Sequence, residues 1–351
     1  MTFTKAVIIF FFAIGVRSQI WNDKSSENSD NKIQHQHKKG SFKRDGTCSF
    51  PNYPGMVAVQ KQGKNAGWAL NTDQQCSYGT WCPYACESGK LMAQWDPSVT
   101  SYSYPGSQNG GLFCDSNGNL QKGFSDKDYC VDGKGTVSIK NEASGEVAVC
   151  QTVLPGNEDM LIPNSIDSGS EKVIAVPGPD YFAGTAAQYY INPPGVSTAD
   201  ACQWGKNSKP VGNWCAYVAG ANQDSNGNTY VKIGWNPIYL EEATPFRTTK
   251  PTFGVKIECD DPSQCEGLPC AIDPGSMEVN QVSASSSSSS GAGGGNFCIV
   301  TAKNGAKAKI VVFEVGGGGN VKRNIAIEEE KKVETVTVTT TVTETLICSH
   351  T

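Results

Sequence analysis

The chain has 351 residues, 38% of them hydrophobic, with fourteen cysteines, 38 glycines and a net charge of −5. That length supports one large core, and the glycine content favours turns and strands over helices. The acidic balance, with no basic stripe beyond the leader region, excludes a partner held through nucleic-acid phosphates.

Taken in chain order, Lys5 precedes an apolar run from Ala6 to Val16 that is too short to span a bilayer and suits a signal-peptide core. Residues 1–18 are therefore expected to be a signal peptide, and no membrane anchor is expected. Residues 19–44 are polar and turn basic at His35–Lys39, a composition that cannot bury enough apolar surface to fold. They read as a propeptide ending at a dibasic processing site, Lys43 and Arg44. Fourteen cysteines in an exported chain point to a disulfide framework, not to thiol chemistry or zinc ribbons.

Residues 45–315 are expected to fold as one unit. Thr136–Lys140, Val147–Cys150, Thr229–Ile233, Phe253–Ile257, Asn296–Val300 and Lys309–Phe313 alternate apolar and polar residues as half-buried strands do. The string Asp-Ser-Asn-Gly-Asn occurs twice, at Asp115–Asn119 and Asp224–Asn228. The Asn-Gly pair predicts hairpin turns, and neither copy carries the later glutamate of a calcium loop. A Ser/Gly tract at 283–295 reads as a long loop inside the domain. Residues 316–351, a glycine linker and a Thr/Val-rich tail, suit a glycosylated stalk or an edge strand. The fold class is mainly β: a disulfide-rich, single β-sandwich-like domain with long loops and few short helices.

The three histidines, His35, His37 and His350, all lie outside the folding region. Ser-His-Asp and Cys-His nucleophiles and histidine-ligated zinc are thereby excluded from it, and no metal or cofactor is expected. Carboxylates remain, and a pair of them is what glycoside hydrolysis needs. Asp73, Asp96, Asp115, Glu158, Asp159 and Asp200 stand beside aromatics or tight turns, each with a capping or solvated role as its alternative. Asp96, Asp115 and Glu158 are the catalytic candidates. Trp68, Tyr78, Trp81, Tyr84, Trp95, Tyr102 and Tyr104 cluster in one span, and ring faces stack on sugars as readily as they fill a core. Trp81, Trp95, Tyr102, Tyr104 and Trp235 are the glycan-binding candidates.

The run Cys76-Ser77-Tyr78-Gly79-Thr80-Trp81-Cys82-Pro83-Tyr84-Ala85-Cys86, continuing through Gln94-Trp95-Asp96-Pro97 to Gly110-Gly111-Leu112-Phe113-Cys114, resembles the fungal SUN family. So do Val149–Glu158, Tyr189–Ser197, Tyr217–Asn222 and Gly234–Tyr239. The resemblance covers Cys48 to Phe313 and does not concern the nuclear-envelope domain of the same name. It implies a secreted wall protein of β-glucosidase or β-1,3-glucanase type, acting on cell-wall β-glucan in wall remodelling, septation and cell separation. The alternative is a non-catalytic glucan-binding or structural wall protein. Cys76, Cys82, Cys86 and Cys114 match the family's cysteine pattern, whereas Cys215 and Cys348 stand outside it and are expected to pair with each other.

Overall fold

The first strands of the chain are short because proline, glycine and cysteine interrupt every apolar run. In the computed structural model, which describes residues 46–59, 62–101, 109–152, 161–203, 205–285 and 289–316, they are β1 (Met56–Val57), β2 (Thr80–Cys82), β3 (Ala85–Cys86), β4 (Lys90–Met92), β5 (Leu112–Cys114), β6 (Leu120–Gln121) and β7 (Cys130–Asp132). They pair as β1–β3, β4–β7 and β2–β5–β6. Sheets this small are marginal alone. Disulfides Cys48–Cys114, Cys76–Cys82 and Cys86–Cys130 run through their shared core of Trp68, Tyr84 and Leu112. All four cysteines singled out by sequence are thus bridged. Cys48, Cys76 and Cys114 bring their sulfurs together because two of these bridges adjoin.

The alternating segments that follow build two sheets. Their strands are β8 (Val137–Asn141), β9 (Val147–Thr152), β10 (Leu161–Ile166), β11 (Glu171–Val173), β12 (Ala187–Ile191), β13 (Tyr217–Gln223), β14 (Thr229–Trp235) and β15 (Phe253–Cys259). After these come β16 (Cys265–Glu266), β17 (Cys270–Ile272), β18 (Ser283–Ala284), β19 (Ser289–Ser290), β20 (Asn296–Ala302) and β21 (Ala308–Glu314). One sheet has the order β10-β9-β12-β13-β14-β20-β16, with β19 also paired to β20; the other runs β11-β8-β21-β15-β17-β18. Neighbours are antiparallel except β8 and β21, which are parallel. Val149, Tyr189, Ala219, Ile233 and Val300 of the first sheet share one core with Ile139, Val255, Ile272 and Ile310 of the second. This is a sandwich, and all six alternating segments are strands of it.

Bonds across the core fix the two sheets together. Cys270–Cys298 joins β17 to β20, Cys259–Cys265 joins β15 to β16, and the Tyr217 hydroxyl donates to the Phe253 carbonyl at 3.0 Å. Both Asp-Ser-Asn-Gly-Asn strings are hairpin turns, joining β5 to β6 and β13 to β14. In each, the aspartate carboxylate accepts the N–H groups two and four residues on, and the glycine takes positive φ (Gly118 +84°, Gly227 +79°). Two described pieces of the Ser/Gly tract are strands, which its composition did not suggest. Its β18 pairs with β17 and its β19 with β20, so it crosses from one sheet to the other.

One face departs from the half-buried expectation: every residue of β9 is buried. Its outward Ala148 and Cys150 are covered by Ala201 and Cys202, at the end of the short helix α1 (Thr198–Ala201), and by Cys215, with Cys150–Cys202 as the tie. Cys215 is the unpaired cysteine among the described residues, fully buried, its Sγ 3.2 Å from the Tyr217 carbonyl. Burial pushes this thiol far above its ordinary value. Its expected partner Cys348 lies outside the described residues. Iodoacetamide is expected to leave Cys215 unmodified in the native chain and to label it after denaturation without reduction. A Cys215 that stays unlabelled after denaturation would instead mark it as bridged.

Candidate functional site

Asp96 and Asp115 are both engaged by their own turns. Asp96 Oδ1 accepts the Ser98 N–H at 2.9 Å and the Ser98 hydroxyl at 2.7 Å. Asp115 accepts the N–H groups of Asn119 and Asn117 and the side-chain amides of Asn119 and Gln121. These donors, the Asn119 N–H foremost, hold the Asp115 carboxyl below its ordinary value. A glycosidase acid must keep its proton near neutral pH, so Asp115 is set against that role. Ser197 caps α1 by accepting the Asp200 N–H at 3.3 Å, and Asp200 accepts the Ser197 hydroxyl at 2.8 Å, while Asp73 is exposed. Glu158 and Asp159 lie outside the described residues, as do residues 1–18 and 19–44 with Lys43 and Arg44, Tyr102, Tyr104 and the tail from 317.

The aromatic candidates divide. Trp235 is a core residue, 2% exposed, packed edge-on to Tyr217, with its indole N–H donated to the Gln281 carbonyl at 2.9 Å. That corrects its assignment to a sugar-stacking surface: it shares strand parity with the buried Val231 and Ile233. Trp95 is also buried, at the seam between the disulfide-rich layer and the sandwich. Phe124, Tyr181 and Phe182 pack edge-on around it, and the Lys127 ammonium sits over its ring. Its ring faces are therefore occupied by protein. Trp68 and Tyr84 fill the core of the first layer. Trp81 alone of the described glycan-binding candidates is partly exposed.

An open cleft of about 460 Å³ lies instead where two distant segments meet, within the usual range of ligand pockets, about 300–1,000 Å³. Leu240, Arg247 and Thr248 line it from one segment, and Glu278, Asn280, Gly293 and Gly294 from the other. Asn280 staples the cleft: its Nδ2 donates to the Gly294 carbonyl at 2.9 Å and its Oδ1 accepts the Asn296 N–H at 2.8 Å. Gly293 has no side chain because a Cβ would stand 2.7 Å from that of Pro237.

The charges at the cleft come in pairs, Glu278 with Lys250 at 2.7 Å and Arg247 with Glu242 at 3.3 Å. Next in sequence to Leu240 and outside the cleft lining, Glu241 is a carboxyl that burial pushes up. Glu241, Arg247 and Glu278 carry no local sequence pattern and were not candidates; the Gly234–Tyr239 motif ends just short of them. On β14, burial lowers the Lys232 ammonium to about 8, and its Nζ lies 3.6 Å from the centroid of the Phe297 ring. The cleft therefore offers an ion-paired carboxylate, amide and hydroxyl donors, and no described imidazole.

The sequence profile described as "Beta-glucosidase (SUN family)" matches residues 43–300. The chain belongs to the SUN family. Its SUN relatives include the uncharacterized protein YMR244W of Saccharomyces cerevisiae, 63% identical over 321 residues, which are 91% of this chain and 88% of that one. "Probable secreted beta-glucosidase adg3" of Schizosaccharomyces pombe is 50% identical over 82% of this chain, a span that is only 25% of adg3. "Secreted beta-glucosidase SIM1" of Candida albicans is 35% identical over 61% of this chain and 57% of its own length.

Proposed function

We propose that this SUN-family chain is a secreted, β-glucan-active protein of the β-glucosidase or β-1,3-glucanase type, working at the fungal wall in remodelling, septation and cell separation. The observation that carries this is the family match over residues 43–300, in a fold whose described residues offer carboxylates and no imidazole. In this reading the cleft holds the glucan, and the carboxyl pair is Glu278, which lines it, with Glu241, next in sequence to the lining Leu240. The relatives named as secreted β-glucosidases support both the activity and an extracellular site. A second reading, glucan binding without hydrolysis, is favoured by the 73% exposure of the Glu278 side chain, since catalytic carboxyls are usually desolvated.

The test is reducing-end release from a laminarin-type glucan by the secreted chain. Glu241→Gln and Glu278→Gln are each expected to lower it by about 100-fold or more, while Asp96→Asn and Asp115→Asn leave it unchanged. Loss in Asp115→Asn or Glu158→Gln, with Glu241→Gln and Glu278→Gln fully active, would move catalysis away from the cleft. Binding by wild type with no release establishes the second reading.

A further inference from the structure

We propose that the outward face of the β2–β5–β6 sheet is an anchoring surface for a β-glucan chain, built by the disulfide-rich layer and separate from the cleft; it rests on the glucan-directed reading above. Register places Trp81 opposite Phe113 and Phe113 opposite Gln121, so the three side chains form one row across the sheet. With strands about 4.8 Å apart, the row spans about 10 Å. The alternate residues Cys82, Leu112 and Cys114 turn inward to the buried cluster, which leaves Trp81 and Phe113 on the opposite face. Both are only partly buried and neither belongs to that cluster. Their ring centroids lie 5.5 Å apart, inclined at 56°.

Two rings directed away from a core need a reason, and the polar groups around them indicate one. Trp68 and Trp235 donate their indole N–H groups to carbonyls; the Trp81 N–H makes no hydrogen bond among the described residues and is not sealed from solvent. At the other end of the row the exposed Gln121 is held by its amide N–H on Asp115 Oδ2 at 2.9 Å. Ring faces beside an indole donor and an oriented amide match a sugar, whose C–H face packs on the rings while its hydroxyls bond at the margins.

Charge selects a neutral occupant. The carboxylate at the row, Asp115, keeps its negative charge, so the surface repels an anionic polymer, and its oxygens already accept four donors of its own hairpin, which leaves little accepting capacity for a cationic one. The surface is also preorganised. Trp81 adjoins Cys82 of the Cys76–Cys82 bridge and Phe113 adjoins Cys114 of the Cys48–Cys114 bridge, so little order remains to be imposed on binding. Gly123 leaves room for the indole edge: a Cβ there would stand 3.2 Å from Trp81 Cη2 and 1.9 Å from the Trp95 carbonyl oxygen.

The experiment is sedimentation of the full secreted chain with insoluble β-1,3-glucan particles, in parallel with turnover of a short soluble β-glucoside. Trp81→Ala and Phe113→Ala are expected to weaken particle binding about tenfold, with turnover and melting temperature near wild type, and Trp81→Tyr is expected to restore most of the binding. Gln121→Ala, at an exposed position, is expected to weaken binding without affecting folding, which keeps the test decisive if an aromatic variant is not secreted. Wild-type particle binding in Trp81→Ala, Phe113→Ala and Gln121→Ala overturns the inference while leaving the cleft reading intact. Particle binding that depends on Trp81, with no turnover by wild type, supports the anchor and removes the hydrolase reading. Retention on chitin or cellulose but not on β-1,3-glucan overturns the assignment of the occupant.

Discussion

Gly111→Ala is expected to abolish secretion of folded protein. Gly111 directly precedes β5, has φ +95°, and a Cβ on it would lie 1.7 Å from the Cys82 carbonyl oxygen and 2.6 Å from Pro83 Cα. Both obstacles are backbone, in strand β2 and the residue after it, so no rotamer change relieves them. Strand β5 would have to leave β2, separating Trp81 from Phe113 and displacing Cys114 from Cys48. The cost exceeds the roughly 4–5 kcal/mol that marks exceptional point mutants. Gly79→Ala is the control: Gly79 also has positive φ, +79°, but nothing lies within 4 Å of its Cβ position, so only the left-handed backbone penalty of about 1–2 kcal/mol applies. Secreted yield and thermal melting separate the two variants. Equal melting temperatures for Gly111→Ala and wild type would show that the β2–β5 contact is not as close as described.

Removing the Cys48–Cys114 bridge, by Cys48→Ala with Cys114→Ala, is expected to lower stability by about 4 kcal/mol. The bridge closes a loop with a sequence separation of 66, and the released chain entropy grows with the logarithm of loop length. The adjacent Cys76–Cys82 bridge has a separation of 6 and is worth about 2 kcal/mol on the same reasoning. The difference matters because the first layer has only two- and three-stranded sheets to set against the entropy of its long connections. Guanidinium denaturation of the two double variants gives the ordering, and a larger loss from Cys76–Cys82 than from Cys48–Cys114 would contradict it.

The sandwich was legible because its strands alternate, and a period of two survives whatever the connections do. The hairpins at Asp115 and Asp224 were legible because Asn-Gly supplies the positive φ that the turn requires. Parity also contained more than was taken from it. Trp235 falls in step with Val231 and Ile233 and so belongs inside, while Trp81 and Phe113 each precede a bridged, inward cysteine and so belong outside. The full burial of β9 was not legible, since its cover comes from α1 and Cys215, far along the chain. The cleft was hidden for the same reason: residues 240–248 and 278–294 meet only through the folded loops between them. The aspartates drew notice for their turn-forming neighbours, and turn formation is what their carboxylates do.

The parallel pairing of β8 with β21 governs the order in which this molecule can be assembled. The last strand of the sandwich inserts between β8 and β15, near the middle of its sheet, so a nascent chain that has not yet delivered residues 308–314 has two unsatisfied apolar strand edges and an unsealed interior. The disulfide-rich layer, whose three bridges all close before residue 131, meets no such delay. Export would thus carry a finished disulfide-rich layer ahead of an open sandwich, and truncation before Ala308 would strand the chain at that stage.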